Sequence, residues 1–259
     1  MKILVTNDDG IHGPGLHALA AALSSDGHTV MVAGPASQCS GSAAGLGTVE
    51  HEAVITVDRR SLDGLEDVPA LAIHAPPALA VRAACTGTFG PVPDLVVSGV
   101  NPGFNTGRLL LHSGTVGAAA TAASLDVCGV AVSTVARPVH GFTTAAAVAT
   151  RIARSLSEAD LPPIALNVNV PDLPLHRLAG AGDGAVRADT VSGVDFGVVE
   201  GGLRVRRSTK VPPFAADTDS DLLARGLVSV SNVALPWWCG AFDTAAVLTD
   251  LRAGLPVGR

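Results

Sequence analysis

Ile3 to Val5 form an apolar run cut short by Asn7, Asp8, Asp9 and Gly10. That order reads as a buried strand ending at a polar turn. Leu16, Leu19, Ala20 and Leu23 then recur at helical spacing, and His28 to Val32 predicts a second strand that stops at Gly34-Pro35. Residues 36–48, rich in Ser, Gly and Ala, read as a loop. Further strands are expected over Val54 to Val57, Leu71 to His74, Asp94 to Ser98, Gly129 to Ser133 and Ile164 to Val170. Helices are expected over Leu79 to Ala84, 115–125 and Thr143 to Leu156. Continuous apolar strands alternating with helices predict an α/β fold, a mainly parallel sheet covered by helices. The pattern weakens after Pro171. Short β-like pieces, Leu203 to Arg206 and Leu227 to Val230, predict a β-rich extension, and Phe242 to Leu251 reads as a terminal helix. The expected division is residues 1–171 for the α/β part and 172–259 for the extension.

With 259 residues, 47% of them hydrophobic and 15% charged, a large core is easily buried. No apolar run reaches the roughly 18 residues that span a bilayer. The amino terminus lacks a basic region followed by a long apolar stretch, so no signal peptide and no membrane association are expected, and a cytoplasmic protein is. A formal net charge of −6 with scattered basic residues argues against polymeric nucleic acid as a partner. Cys39, Cys85, Cys128 and Cys239 form no CxxC pair and read as reduced thiols.

Ligands of open parallel sheets gather beyond the carboxyl ends of the strands. Three polar loops fall at such ends: Asn7-Asp8-Asp9-Gly10, Gln38-Cys39-Ser40-Gly41-Ser42 and Ser98-Gly99-Val100-Asn101-Pro102-Gly103. In a strand, adjacent carboxylates point to opposite faces; in a turn they can converge, and a hard dication then relieves their repulsion. A solvated turn with an Asx cap would leave the same residues. Two carboxylates, a hydroxyl and an amide oxygen suit Mg²⁺ or Mn²⁺, whereas the His or Cys cluster favoured by zinc is lacking. A fourth loop, His112-Ser113-Gly114-Thr115-Val116-Gly117, leads into a helix and reads either as an anion site or as an ordinary Ser/Thr cap. Metal oxygens beside an anion site suggest hydrolysis of a phosphate ester, the dication activating water and neutralising phosphoryl charge.

Asn7 to Gly15, Ser40-Gly41-Ser42, Val97 to Gly107, Ser113-Gly114-Thr115-Val116 and, further on, Asn167-Val168-Asn169-Val170-Pro171 resemble the SurE survival-protein family. The likeness is close over residues 1–171 and thin beyond. It implies a metal-dependent 5′/3′-nucleotidase acting on nucleoside monophosphates. By position, the resemblance implies that Asp8, Asp9, Ser40 and Asn101 bind the metal and that Asn105, Ser113 and Thr115 surround the phosphate. Asp8 would also orient or deprotonate the attacking water. The implied fold is a Rossmann-like domain with a β-hairpin extension and a carboxyl-terminal helix that build a homodimer or homotetramer.

The sequence departs from that family around the site. Cys39 replaces a basic residue, His112 an aromatic one, and Thr121-Ala122 a Glu-Gly pair. Pro77-Ala78 interrupt a Thr-Pro-x-Asp-Cys motif, and Ala234 stands near a family histidine. The metal set is intact while its surroundings have changed, so phosphatase chemistry with a specialised nucleotide-derived or sugar phosphate is one alternative. A catalytically weakened nucleotide-binding homologue is another. His12 reads as substrate contact or turn packing, and Trp237-Trp238 as a base-stacking pair or a subunit contact. Gly99, Gly103 and Gly107 lack the spacing of a dinucleotide fingerprint. Adjacent acids instead of Asp-x-Asp disfavour an aspartyl-nucleophile phosphatase.

Overall fold

The computed structural model describes residues 1–158 and 162–233. In chain order the elements are β1 (Lys2–Thr6), α1 (Pro14–Ser25), β2 (Thr29–Pro35), β3 (Val57–Arg60), β4 (Ala70–Ile73), α2 (Pro77–Cys85) and β5 (Leu95–Pro102). They continue with α3 (Gly114–Ala123), β6 (Cys128–Thr134), α4 (Gly141–Glu158), β7 (Ala165–Asn169), β8 (Ala181–Asp183), β9 (Ser192–Val199), β10 (Gly202–Thr209), α5 (Asp219–Ala224) and β11 (Val228–Asn232). A 3-10 turn spans Gly107–His112 before α3.

Nine strands form one sheet in the order β3-β4-β2-β1-β5-β6-β7-β11-β8. The run from β4 to β7 is parallel throughout. β3 lies antiparallel on the edge, and β11 lies antiparallel to β7. The fold is therefore Rossmann-like α/β, a mainly parallel sheet carrying helices. Successive strands after β1 step outward on one side to β2 and β4, and from β5 on the other side to β6 and β7. The order thus reverses between β1 and β5, which is where such sheets open a crevice.

Leu16, Leu19, Ala20 and Leu23 are buried on α1, whose first turn accommodates Pro14. They pack with α4 and the sheet face carrying Ile3, Val5, Leu95 and Val97. Leu4, Ala33, Ile73 and Val96 face the other way, toward α2 and α3. α3 is almost wholly buried and built from Gly, Ala and Thr, which lets its backbone lie close to the strands. The start of α4 is capped from afar: Asp172 accepts the backbone N–H groups of Val139, His140 and Gly141 at 2.7–3.1 Å.

Some expected boundaries move. The strand expected at Val54 to Val57 lies at Val57–Arg60, where its exposed residues pair only with β4. β2 runs on through Pro35. β5 does not stop at Ser98: it continues through the glycine-rich motif to Pro102, with its register to β6 shifted between Ser98 and Asn101. In the extension, β8 and β11 join the central sheet, while β9 and β10 form a separate antiparallel hairpin. α5 was hidden because six residues are too short to show periodicity. The expected helix at Phe242 to Leu251 lies outside the described residues, as do Ala234, Trp237, Trp238 and Cys239. Among the described residues no helix is long and apolar enough to cross a membrane.

Candidate functional site

The loop after β1 turns sharply. Asn7, almost fully buried, donates its amide to the Gly10 carbonyl at 3.0 Å and leaves its Oδ1 without a partner. The turn presents Asp8 and Asp9 at the reversal between β1 and β5. Asp8 is 4% exposed, and its Oδ1 receives the Thr115 hydroxyl at 2.6 Å. The backbone N–H groups of Gly114 and Thr115 also act on the Asp8 carboxylate. The amino terminus of α3 is thus aimed at a carboxylate of the chain itself. Gly114 makes this approach feasible, since a Cβ there would lie 2.8 Å from Asp8 Cβ and 2.9 Å from its Oδ2.

Of the two expected readings for the Ser113 loop, the cap is realised: Ser113 Oγ accepts the Val116 N–H at 3.2 Å. The N–H groups expected there are not freely exposed: Gly114 and Thr115 are buried, and their N–H groups act on Asp8. Ser113 keeps its own O–H for donation.

Burial pushes the Asp8 carboxyl above its usual range, with the Thr115 hydroxyl and nearby N–H groups acting against that. Asp9 is pushed up to about 6, first by burial and then by the charge of Asp8, while the Arg207 guanidinium on β10 pulls it down. A buried and a half-buried carboxylate side by side, with only the Arg207 guanidinium acting on Asp9, are short of positive charge. A divalent cation supplies it, so the residues present fit such an ion. Asn101 fits as well: its Nδ2 donates to the Gly103 carbonyl at 2.6 Å, which leaves Oδ1 available as an oxygen donor. The β5 register to β6 shifts between Ser98 and Asn101, just before this side chain.

The loop after β2 is drawn in by the Cys39 N–H, which donates to the Asp8 carbonyl at 2.7 Å. Ser40 is exposed, and its hydroxyl accepts from Gln38 Nε2 at 3.2 Å. Ser42, quoted in the motif but given no role, has a buried Oγ without a partner, near enough to α3 that a Cβ on Gly114 would sit 2.6 Å from it. Among the described residues no group of three or more His, Cys, Asp or Glu gathers in one place. Carboxylates mixed with neutral oxygens suit a hard cation, and not the ligand set of zinc.

Asn105 stands on the opposite bank, 8% exposed. Its N–H donates to Asn169 Oδ1 at 2.9 Å, its carbonyl receives Asn167 Nδ2 and Asn169 Nδ2 at 2.9 and 2.8 Å, and its Nδ2 donates to Ser133 Oγ at 2.9 Å. The strand alternation of Asn167-Val168-Asn169 was the available signal: period two puts both amides on one face. Of the departing residues, Ala78 is fully buried in α2, Thr121 donates back to Gly117 inside α3, and His112 and His12 are exposed. Cys39 is half-buried, its thiol pushed up by burial and by the charge of Asp8.

The mainly parallel α/β sheet places the Asp8-Asp9 turn, the Asn101 segment and the capped start of α3 at its switch point, an arrangement of carboxylates and neutral oxygens typical of an α/β ligand-binding crevice. A family model described as Survival protein SurE matches residues 3–188. The chain belongs to the SurE family. It is 42% identical over 185 residues to the 5'-nucleotidase SurE of Geobacter metallireducens, spanning 70% of this chain and 69% of that relative. It is 40% identical to the 5'-nucleotidase SurE of Desulfatibacillum aliphaticivorans, over the same shares. The crystal structure of the SurE protein from Aquifex aeolicus superposes with a TM-score of 0.78 at 26% identity, covering 97% of this chain and 100% of that one.

Proposed function

We propose that this chain is a divalent-metal-dependent phosphomonoesterase that hydrolyses nucleoside monophosphates. Mg²⁺ or Mn²⁺ would be held by Asp8, Asp9, Ser40 and Asn101, with Asn105, Ser113 and Thr115 serving the reacting phosphate. The observation that carries the reading is the adjacent pair of buried Asp8 and half-buried Asp9 at the switch point, Asp8 held by the Thr115 hydroxyl and both carboxyls pushed up by burial. When bound, the dication neutralises these carboxylates and the charge that builds on the phosphoryl group. The chain's own groups do the rest. Thr115 fixes the orientation of Asp8 through Oδ1, so that Asp8 can orient the attacking water and receive its proton. Ser113, held by Val116, can donate its O–H to a phosphoryl oxygen. Asn105 lies on the far bank with its backbone locked by two asparagines.

The family relationship supports a phosphoric monoester hydrolase, since its relatives are named 5'-nucleotidases. Free thiols at Cys39, Cys85 and Cys128 suit a reducing, cytoplasmic setting. A homodimer or homotetramer is supported by the β9–β10 hairpin, where Phe196 and Val198 are 66% and 88% exposed on one face with Leu203 and Val205. The test is phosphate release from 5′- and 3′-nucleotides and sugar phosphates with each metal in turn. Release that EDTA abolishes and Mn²⁺ or Mg²⁺ restores is expected. Release indifferent to chelator overturns the metal assignment, and nucleotide binding without release favours the weakened homologue.

A further inference from the structure

Asp219 opens α5 in the extension and is completely buried. Its Oδ2 accepts the Gly107 N–H at 2.7 Å across a sequence separation of 112 residues. Its Oδ1 accepts the Ser220 N–H at 2.7 Å and the Ser220 hydroxyl at 3.2 Å. Among the described residues it forms no ion pair. An unpaired buried carboxylate is costly to keep, and α5 does not need it as a cap, because Thr218 Oγ1 already accepts the Asp221 N–H at 3.2 Å. What the charge adds is a short, charge-assisted bond to a backbone amide of another element.

That amide has a particular position. Gly107 opens the 3-10 turn linking Asn105 to Ser113, the two residues assigned to the phosphate side of the site. Asn105 is tied to β6 and β7, and Ser113 to α3. Between them Arg108, Leu111 and His112 are exposed, and Leu110 alone packs against the Val116–Ala119–Ala131 cluster. The extension presses on its start: at φ +54° a Cβ on Gly107 would lie 1.9 Å from the Asp189 carbonyl oxygen. Thr106 Oγ1 meets Thr190 Oγ1 at 3.2 Å and receives the Val191 N–H at 3.0 Å.

We propose that Asp219 is a positioning residue for the phosphate side of the site, its carboxylate pinning Gly107 and thereby setting the course of residues 105–113. The inference rests on the phosphatase reading for the meaning of that segment. Asp219 touches neither the β1 loop nor the loop after β2, so its effect falls on phosphate and spares the metal.

The test uses the full chain as wild type, Asp219→Ala and Asp219→Asn. Calorimetry with MnCl₂ alone is expected to give equal affinities within about two-fold. With Mn²⁺ saturating, inorganic phosphate is expected to bind Asp219→Ala about 10- to 100-fold more weakly, the usual range for a lost supporting contact. Asp219→Asn keeps one acceptor oxygen for three donors and is expected to fall between Asp219→Ala and wild type. Phosphate affinity unchanged within two-fold in both variants overturns the proposal, as does parallel loss of Mn²⁺ and phosphate affinity. Should Asp219→Ala fail to fold, Asp219→Asn carries the same comparison. Amide exchange over residues 105–113 in the metal-free protein is expected to quicken in Asp219→Asn while β1 and β5 stay protected. Unchanged exchange there refutes the anchor. Because this last measurement needs no ligand, it separates failure of the anchor from failure of the phosphatase reading, which shows as a wild type that neither binds nor releases phosphate.

Discussion

On the β1 bank of the site, Asp8 and Asp9 are ionisable and enclosed, with no ion pair to either among the described residues. On the β7 bank, Asn105, Ser133, Asn167 and Asn169 are also buried, carry no charge and bond to one another. Burial acts on both, with opposite consequences. Neutral donors and acceptors can satisfy one another inside the protein, so the asparagine bank is nearly complete as it stands. Paired carboxylates cannot, because what they lack is positive charge, which the dication proposed above would supply. The comparison therefore separates a bank that waits for a ligand from a bank that fixes geometry.

The largest effect should come from removing charge on the first bank. Asp8→Asn and Asp9→Asn are each expected to lower phosphate release by roughly 10³-fold or more, since several kcal/mol of charge neutralisation is lost. Near-normal turnover in either would sink the metal assignment. The same bank has a pH signature. Asp9 sits at about 6 in the folded protein against an ordinary 3.8, so the folded state holds the extra proton between these values. Stability of the metal-free protein should fall as pH rises through that window, and level off above it. Asp9→Asn should flatten the slope, and Mn²⁺ should raise the melting temperature more at neutral pH than at about pH 4, where the carboxyl is protonated. Thermal melts with and without Mn²⁺ across that range read both effects.

A smaller effect is expected one contact away. Thr115→Val keeps the volume of a fully buried side chain but removes the hydroxyl that holds Asp8 Oδ1. Lost support of a ligating carboxylate costs about 10- to 100-fold in metal affinity or activity. We expect Mn²⁺ affinity and kcat/KM to fall together in this range. If kcat/KM fell while Mn²⁺ affinity held, Thr115 would belong with the phosphate, as the family resemblance implies, and not with the metal bank.

Much of this was legible along the chain for local reasons. Apolar runs and helical spacing located the strands and helices of the parallel core, polar loops at strand ends singled out Asp8, Asp9, Ser40 and Asn101 as candidates, and a helix start singled out Ser113. Misreadings came where local and distant partners compete. Gly99 to Pro102 looks like a loop by composition, yet its backbone is drawn into β5 by β6. The Thr115 hydroxyl reads as a free donor because nothing nearby in sequence announces that Asp8, 107 residues away, accepts it. Asp219 was not legible at all: it reads as one more acid in an acidic stretch, and its partner Gly107 has no side chain to betray the contact. Ser42 was within the quoted motif, but only the approach of α3 makes its hydroxyl buried and unpartnered.

The mildest prediction for the metal tests the second bank directly. Asn169 serves Asn105 twice, accepting its N–H through Oδ1 and donating to its carbonyl through Nδ2. Asn169→Ala leaves that N–H buried without a partner, whereas the carbonyl still has Asn167. An orphaned buried donor costs about 1–3 kcal/mol, so the variant should melt measurably earlier than wild type. Asn167→Ala strands no Asn105 donor and should melt between the two. Neither change alters the charge around Asp8 and Asp9, so Mn²⁺ affinity should hold within about two-fold in both, well short of the loss expected for an Asp8 support. Should Asn169→Ala lose Mn²⁺ as Thr115→Val does, the two banks are one coupled network, and the separation between a charge-hungry side and a geometric side fails.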